Sequence, residues 1–130
     1  YPTAPLILPS DLVQSFARFM AAGVYSMIST AEYDFPPLRA FALGPDGHIA
    51  FNWPQYELTR RQDLPHLVHD AGAFYWLRTK PFLKRQRLVG PDSICWPLPR
   101  LRAADIDTEE DLAFAAMLLR HRMENEGHGR

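Results

Sequence analysis

Five acidic residues crowd the stretch RAADIDTEEDLAFAAMLLR, residues 102–120: Asp105, Asp107, Glu109, Glu110 and Asp111. Three of them have a structural explanation. Thr108 followed three positions later by Asp111 forms a capping box, with Asp in place of the usual Glu or Gln. Glu109, Glu110 and Asp111 then lie in a first helical turn, where carboxylates favour the positive end of the helix dipole. Asp105 and Asp107 precede the cap and are left over. If 103–107 is extended, their carboxylates share one face and Ile106 takes the other. Like charges so placed become favourable around a hard cation such as Mg2+, which takes one or two carboxylates plus phosphate oxygens.

Two further groups could do chemistry. His66 and His69, followed by Asp70, suit one face of a helix, and zinc is a conceivable occupant. No third ligand stands at a recognisable spacing, and Pro65 and Gly72 interrupt the helix, so structural or substrate-contact roles are favoured. The basic set Arg60, Arg61, Arg78, Lys80, Lys84, Arg85, Arg87, Arg100 and Arg102 reads by default as solvated surface, although arginine grips carboxylates and phosphates in a bidentate manner. Phe74, Tyr75 and Trp76 sit in an apolar run and are read as core, not as a base-stacking platform.

These residues need elements to position them. Leu12, Val13, Phe16, Ala17, Met20 and Ala21 recur at helical spacing, with Ser10 or Asp11 as cap and Gly23 as terminator. Residues 1–8 read as a strand end entering a loop, and 24–33 as a strand. A hairpin is predicted from LRAFAL and HIAFNW around the turn GPDG. Residues 54–70 are polar and broken by Pro54 and Pro65. Residues 71–78 read as a buried strand, 80–86 as a short helix, and 93–99 as a strand whose prolines mark an edge or an end. Leu112, Ala115, Ala116, Leu119 and Met123 are predicted to form the buried stripe of a last helix, followed by a frayed tail, ENEGHGR. Strands and helices alternate, which points to an α/β fold with a partly parallel sheet.

The bulk numbers agree with one domain. The 130 residues are 47% apolar and 22% charged, enough to form a core. A net charge of −1 argues against nucleic acid as partner. The single cysteine, Cys95, cannot form an internal disulfide, which fits a reducing, cytoplasmic setting, and it reads as a small buried hydrophobe. No apolar run is long enough to suggest a membrane partner. The chain begins at Tyr1 in what reads as mid-fold, so a fragment is expected.

In this order, YPTAPL, the capped helix, HDAGAFYW and LPRLRAADIDTEEDL resemble the C-terminal part of the acylneuraminate cytidylyltransferases, with RRQDLPHLVHDAGAFYW most similar to the pseudaminic acid branch. The resemblance runs from Tyr1 to about Arg120. It implies a Rossmann-like nucleotidyltransferase (nucleotide-diphospho-sugar transferase) fold with a mixed sheet, lacking its N-terminal CTP-binding half. It implies CMP transfer from CTP to a nine-carbon acidic sugar with release of pyrophosphate. Asp105 and Asp107 match the catalytic, Mg2+-holding aspartates. Thr3, Ala4 and Pro5 (with Pro2) match the loop lining the sugar site, and His69, Asp70 and Gly72 match a segment close to the sugar. Residues 38–70 match the excursion that builds the dimer contact or a lid, so a homodimer is implied. The chain departs from the pattern in three ways: a Gly-Ser-Lys phosphate loop is absent, Ala73 stands where pseudaminic relatives have Gln, and Ile7 where the sialic branch has Arg. The alternative expectation is a non-catalytic truncated homologue acting as a dimerisation or interaction module. Expressed alone, the 130 residues are expected to aggregate or to need a partner chain.

Overall fold

The computed structural model describes residues 3–127. The chain divides into two compact units, residues 32–69 and the remainder. In the larger unit, helix α1 (Pro9–Ala22) leads into strand β1 (Ser26–Glu32). Strand β4 (Val68–Leu77), helix α2 (Thr79–Arg85), strand β5 (Ser93–Pro97) and helix α3 (Glu109–Gly127) follow the excursion. The sheet order is β4-β1-β5. β5 runs parallel to β1, with Ser26 opposite Ser93 and Thr30 opposite Pro97. β4 runs antiparallel to β1: the Arg78 amide donates to the Tyr25 carbonyl at 3.1 Å, and the Phe74 amide reaches Ser29 Oγ at 3.0 Å. The sheet is therefore mixed, as the alternation of elements predicts.

β1 is central, and six of its seven residues are buried. Serines make this possible, because each finds a partner inside. Ser26 Oγ donates to the Leu88 carbonyl at 2.8 Å, and Ser29 Oγ accepts from the amides of Ala73 and Phe74. Ala4, Ala31, Ala71, Ala73, Phe74 and Leu98 form the core, with Trp76 and Trp96 packed against it. The Trp76 indole N–H ends on Ser15 Oγ of α1 at 2.8 Å, which ties helix to sheet.

The smaller unit is built from turns. Strands β2 (Phe41–Leu43) and β3 (Ile49–Phe51) pair antiparallel. The GPDG turn closes as the sequence predicts: the Gly47 amide donates to the Gly44 carbonyl at 3.0 Å, and Gly47 adopts φ +84°. Single 3-10 turns at Pro54–Tyr56 and Arg61–Asp63 make up much of the rest.

Five expectations are corrected. Residues 3–8 form turns, not a strand end, while Tyr1 and Pro2 lie outside the described residues. α1 starts earlier than its apolar pattern, with Leu8 at the cap position and Pro9 as its first residue. Asp11 acts from the third helical position, its Oδ2 accepting the Leu8 amide at 2.9 Å. The buried face of α3 carries Ala115 and Leu118, whereas Leu112 and Met123 of the expected stripe are exposed. Helix α3 also continues through the first part of the predicted frayed tail to Gly127, and residues 128–130 lie outside the described residues. Finally, Cys95 is exposed. It lies on β5, a strand paired on only one side among the described residues, and there the alternation of the strand turns it outward.

Candidate active site

The site is organised by a defect in β4. Gly72 has φ +61°, the left-handed region that glycine alone enters without strain. In a regular strand the buried positions alternate, but here Ala71, Ala73 and Phe74 are all buried. The strand therefore gains one residue at Gly72, as in a β-bulge. The two amides that follow both turn to Ser29 Oγ, at 3.3 and 3.0 Å.

That bulge receives Asp105. A Cβ placed on Gly72 would lie 2.5 Å from Asp105 Oδ2 and 3.1 Å from its Cγ. The carboxylate thus rests against the bare Cα of Gly72, in space that any side chain would fill. Asp105 Oδ1 also accepts the Ile106 amide at 3.0 Å. Ile106 is pinned a second time in the same region, its amide 3.2 Å from the Thr3 carbonyl. Asp70 completes the group: its Oδ1 accepts the Gly72 amide at 2.9 Å, and its Oδ2 accepts the Tyr75 hydroxyl at 2.7 Å.

Thr3, Asp70, Gly72 and Asp105 of the sequence-predicted set are therefore brought together within the larger unit. Ala4 is buried in the core and supports the turn from behind, while Pro5 is exposed. His69 belongs to the smaller unit, where its ring lies 4.9 Å from that of Tyr33. His66 meets Glu32 at 3.0 Å.

The approach to α3 carries the second aspartate. Residues 103–107 form no strand, so simple alternation does not set the directions of Asp105 and Asp107; local hydrogen bonds do. Asp111 Oδ2 accepts the Thr108 hydroxyl at 2.7 Å and the amides of Thr108 and Asp107 at 2.8 and 3.2 Å. Thr108 Oγ1 in return accepts the Asp111 amide at 3.2 Å. The predicted capping box is thus in place. The Thr108 hydroxyl, followed by the two amides, holds the Asp111 carboxyl below the ordinary aspartate value. With its amide bound to this cap, Asp107 is an exposed residue at the mouth of the helix, two positions from Asp105.

Several basic residues are already engaged in structure. Arg102 pairs with the buried Asp11, Arg85 with Asp92 at 2.9 Å, and Arg60 with Asp63 at 2.7 Å. Arg78 donates to the Val24 carbonyl at 2.8 Å and lies over the Phe19 ring. Neither aspartate lines a cavity of about 310 Å3 within the smaller unit, beside Tyr33 and Arg61, or one of about 380 Å3 in the larger unit, between Leu6 and Leu118.

Sequence reasoning missed Tyr75 and Ser29. A strand alternates with period two, so positions 70 and 75 ought to face opposite ways. The extra residue at Gly72 reverses that parity and brings the Tyr75 hydroxyl round to Asp70. The signal was present, since a glycine inside a strand pattern marks a bulge or a close approach.

Comparison with known proteins adds a sequence relationship. No protein-family model matches the chain. Over 118 residues, 91% of the chain, it is 35% identical to proteins named pseudaminic acid cytidylyltransferase from Campylobacter jejuni strains 81-176 and NCTC 11168. The chain is a relative of these cytidylyltransferases. It spans about half of their length, 51%. The mixed α/β sheet described above is the part of the nucleotidyltransferase fold that this relationship covers.

Proposed function

We propose that the chain supplies the sugar- and metal-binding part of a cytidylyltransferase that transfers CMP from CTP to a pseudaminic or related sialic-type acid, releasing pyrophosphate. The observation that carries this reading is the seating of Asp105 on Gly72 beside the capped, exposed Asp107. The similarity to the Campylobacter proteins supports it independently.

The residues fit Mg2+ delivered with a triphosphate better than a metal held by protein alone. Among the described residues, no three His, Cys, Asp or Glu side chains gather as a cage. Two neighbouring carboxylates are what Mg2+ takes when phosphate oxygens and water complete its octahedron. Asp105 and Asp107 would hold it, and when bound it neutralises charge developing on the phosphates. The chain's own contribution is positional. Ile106 and Gly72 fix one carboxylate, the Asp111 cap fixes the backbone of the other, and the Thr3 carbonyl ties the Thr3–Pro5 turn to them. That turn, with Asp70 and Gly72, is assigned to the acidic sugar.

The protein expressed from its complete reading frame should release pyrophosphate from CTP only when pseudaminic acid is present, and Asp107→Asn should abolish release. No release, or release unchanged in Asp107→Asn, would overturn the assignment.

A second reading rests on the smaller unit. Phe35, Leu43, Ile49 and Leu58 are all exposed there, at 81, 76, 61 and 94%. Such a surface suits a contact with a second copy of the chain, either in a dimeric enzyme or in a non-catalytic interaction module. A dimer by sedimentation that persists in Asp107→Asn but is lost when Leu43 and Ile49 become Lys would support the contact. A monomer in the unaltered protein would exclude it.

A further inference from the structure

We infer that Tyr75 is a positioning residue for Asp105, acting through a latch that runs from its hydroxyl to Asp70 and on to Gly72; the inference rests on the assignment of Asp105 to the metal. Each link is short. The Tyr75 hydroxyl donates to Asp70 Oδ2 at 2.7 Å, and Asp70 Oδ1 accepts the Gly72 amide at 2.9 Å. Gly72 in turn presents its bare Cα to the Asp105 carboxylate.

The latch has a physical task. Gly72 is the one residue of β4 in a left-handed conformation, and glycine is the residue with most freedom to leave such a state. If its φ relaxes, the Cα face against which Asp105 rests rotates away. Asp70 opposes that rotation by holding the Gly72 amide. An exposed aspartate side chain is itself mobile, and the phenol restrains its second oxygen in a charge-assisted bond. The anchor is rigid because Phe74, beside Tyr75, is a core residue only 8% exposed. The bulge reverses the strand's parity and brings the two side chains together, so one backbone feature creates both the seat for Asp105 and the means of fixing it.

The test uses the protein from its complete reading frame, with hydrogen exchange at the Gly72 amide and Mn2+ affinity as readouts. Tyr75→Phe removes a single oxygen and should raise Gly72 exchange about fivefold, the scale of one hydrogen bond. It should weaken Mn2+ binding by a similar factor and leave α3 amide exchange unchanged. Asp70→Ala should loosen Gly72 further, and adding Tyr75→Phe to it should change nothing more, since the two act in series. Unchanged Gly72 exchange in Tyr75→Phe, or additive effects in the double variant, would refute the latch. Faster exchange with unaltered Mn2+ affinity would confine Tyr75 to a structural role. Absence of Mn2+ binding in the unaltered protein would instead sink the metal assignment and the positioning role with it, while Gly72 exchange would still report whether the latch exists.

Discussion

From Ala71 to Phe74 three of four residues are buried, whereas from Glu32 to His69 none is. The two units hold their shape by different means. Strands β1, β4 and β5 are fixed by what they bury: alanines, Phe74, and serines whose hydroxyls answer interior amides. The excursion is fixed by local turn chemistry, by Gly44–Gly47, three 3-10 turns and short-range ion pairs. A two-stranded hairpin without a buried face is marginal by itself. The contrast assigns precision to the larger unit, and the aspartate pair lies on it.

Substitutions can break that contrast. Phe74→Ala should have the largest effect, destabilising by about 3–5 kcal/mol in chemical denaturation, as a large core truncation does. Leu58→Ala in the excursion should change stability by less than about 0.5 kcal/mol. Comparable losses would mean the excursion is packed after all. Next comes Asp11→Ala, expected to cost about 3 kcal/mol because it strands a half-buried Arg102 and frees the Leu8 amide.

Two of the left-handed glycines, one in each unit, sharpen the comparison further. Gly47→Ala meets nothing within 4 Å and should carry only backbone strain, about 1 kcal/mol. Gly72→Ala adds a collision with Asp105 and should cost more, about 2–3 kcal/mol, with Mn2+ affinity falling in step. Equal costs for the two would remove Asp105 from the seat described here.

The smallest effect concerns pH. Because the Asp111 carboxyl is held below its unfolded value of 3.8, its contribution to stability is complete above that value and fades as pH falls through the lower folded one. Thr108→Ala removes the main cause. Stability measured down to pH 2 should then decline less steeply below pH 4 than in the unaltered protein. An unchanged slope would show that the cap does not set the titration.

Much of this was legible in the sequence because it is local. Gly23 ends α1, Pro45 and Gly47 make the turn, and Thr108 with Asp111 begins α3. Each depends on residues within a few positions. What escaped depends on distance along the chain or on a shift of phase. Asp11 and Arg102 stand 91 positions apart, so nothing in either neighbourhood announces the pair. Tyr75 reaches Asp70 only because the strand slips by one residue at Gly72. The α3 stripe was misplaced because apolar residues occur on several sides of that helix, including the exposed Leu112, Phe114, Met117 and Met123, and the periodicity is blurred. Cys95 was misread because an apolar neighbourhood in sequence says little about which side of a border strand a residue faces.

The position of Cys95 has a practical consequence. It is the sole thiol in the chain, it is exposed, and it stands on the sheet's outermost parallel strand opposite Ile28. A thiol-reactive dye therefore labels a single known place without any engineered cysteine. Its labelling rate reports directly on whether another polypeptide has come to lie along that strand.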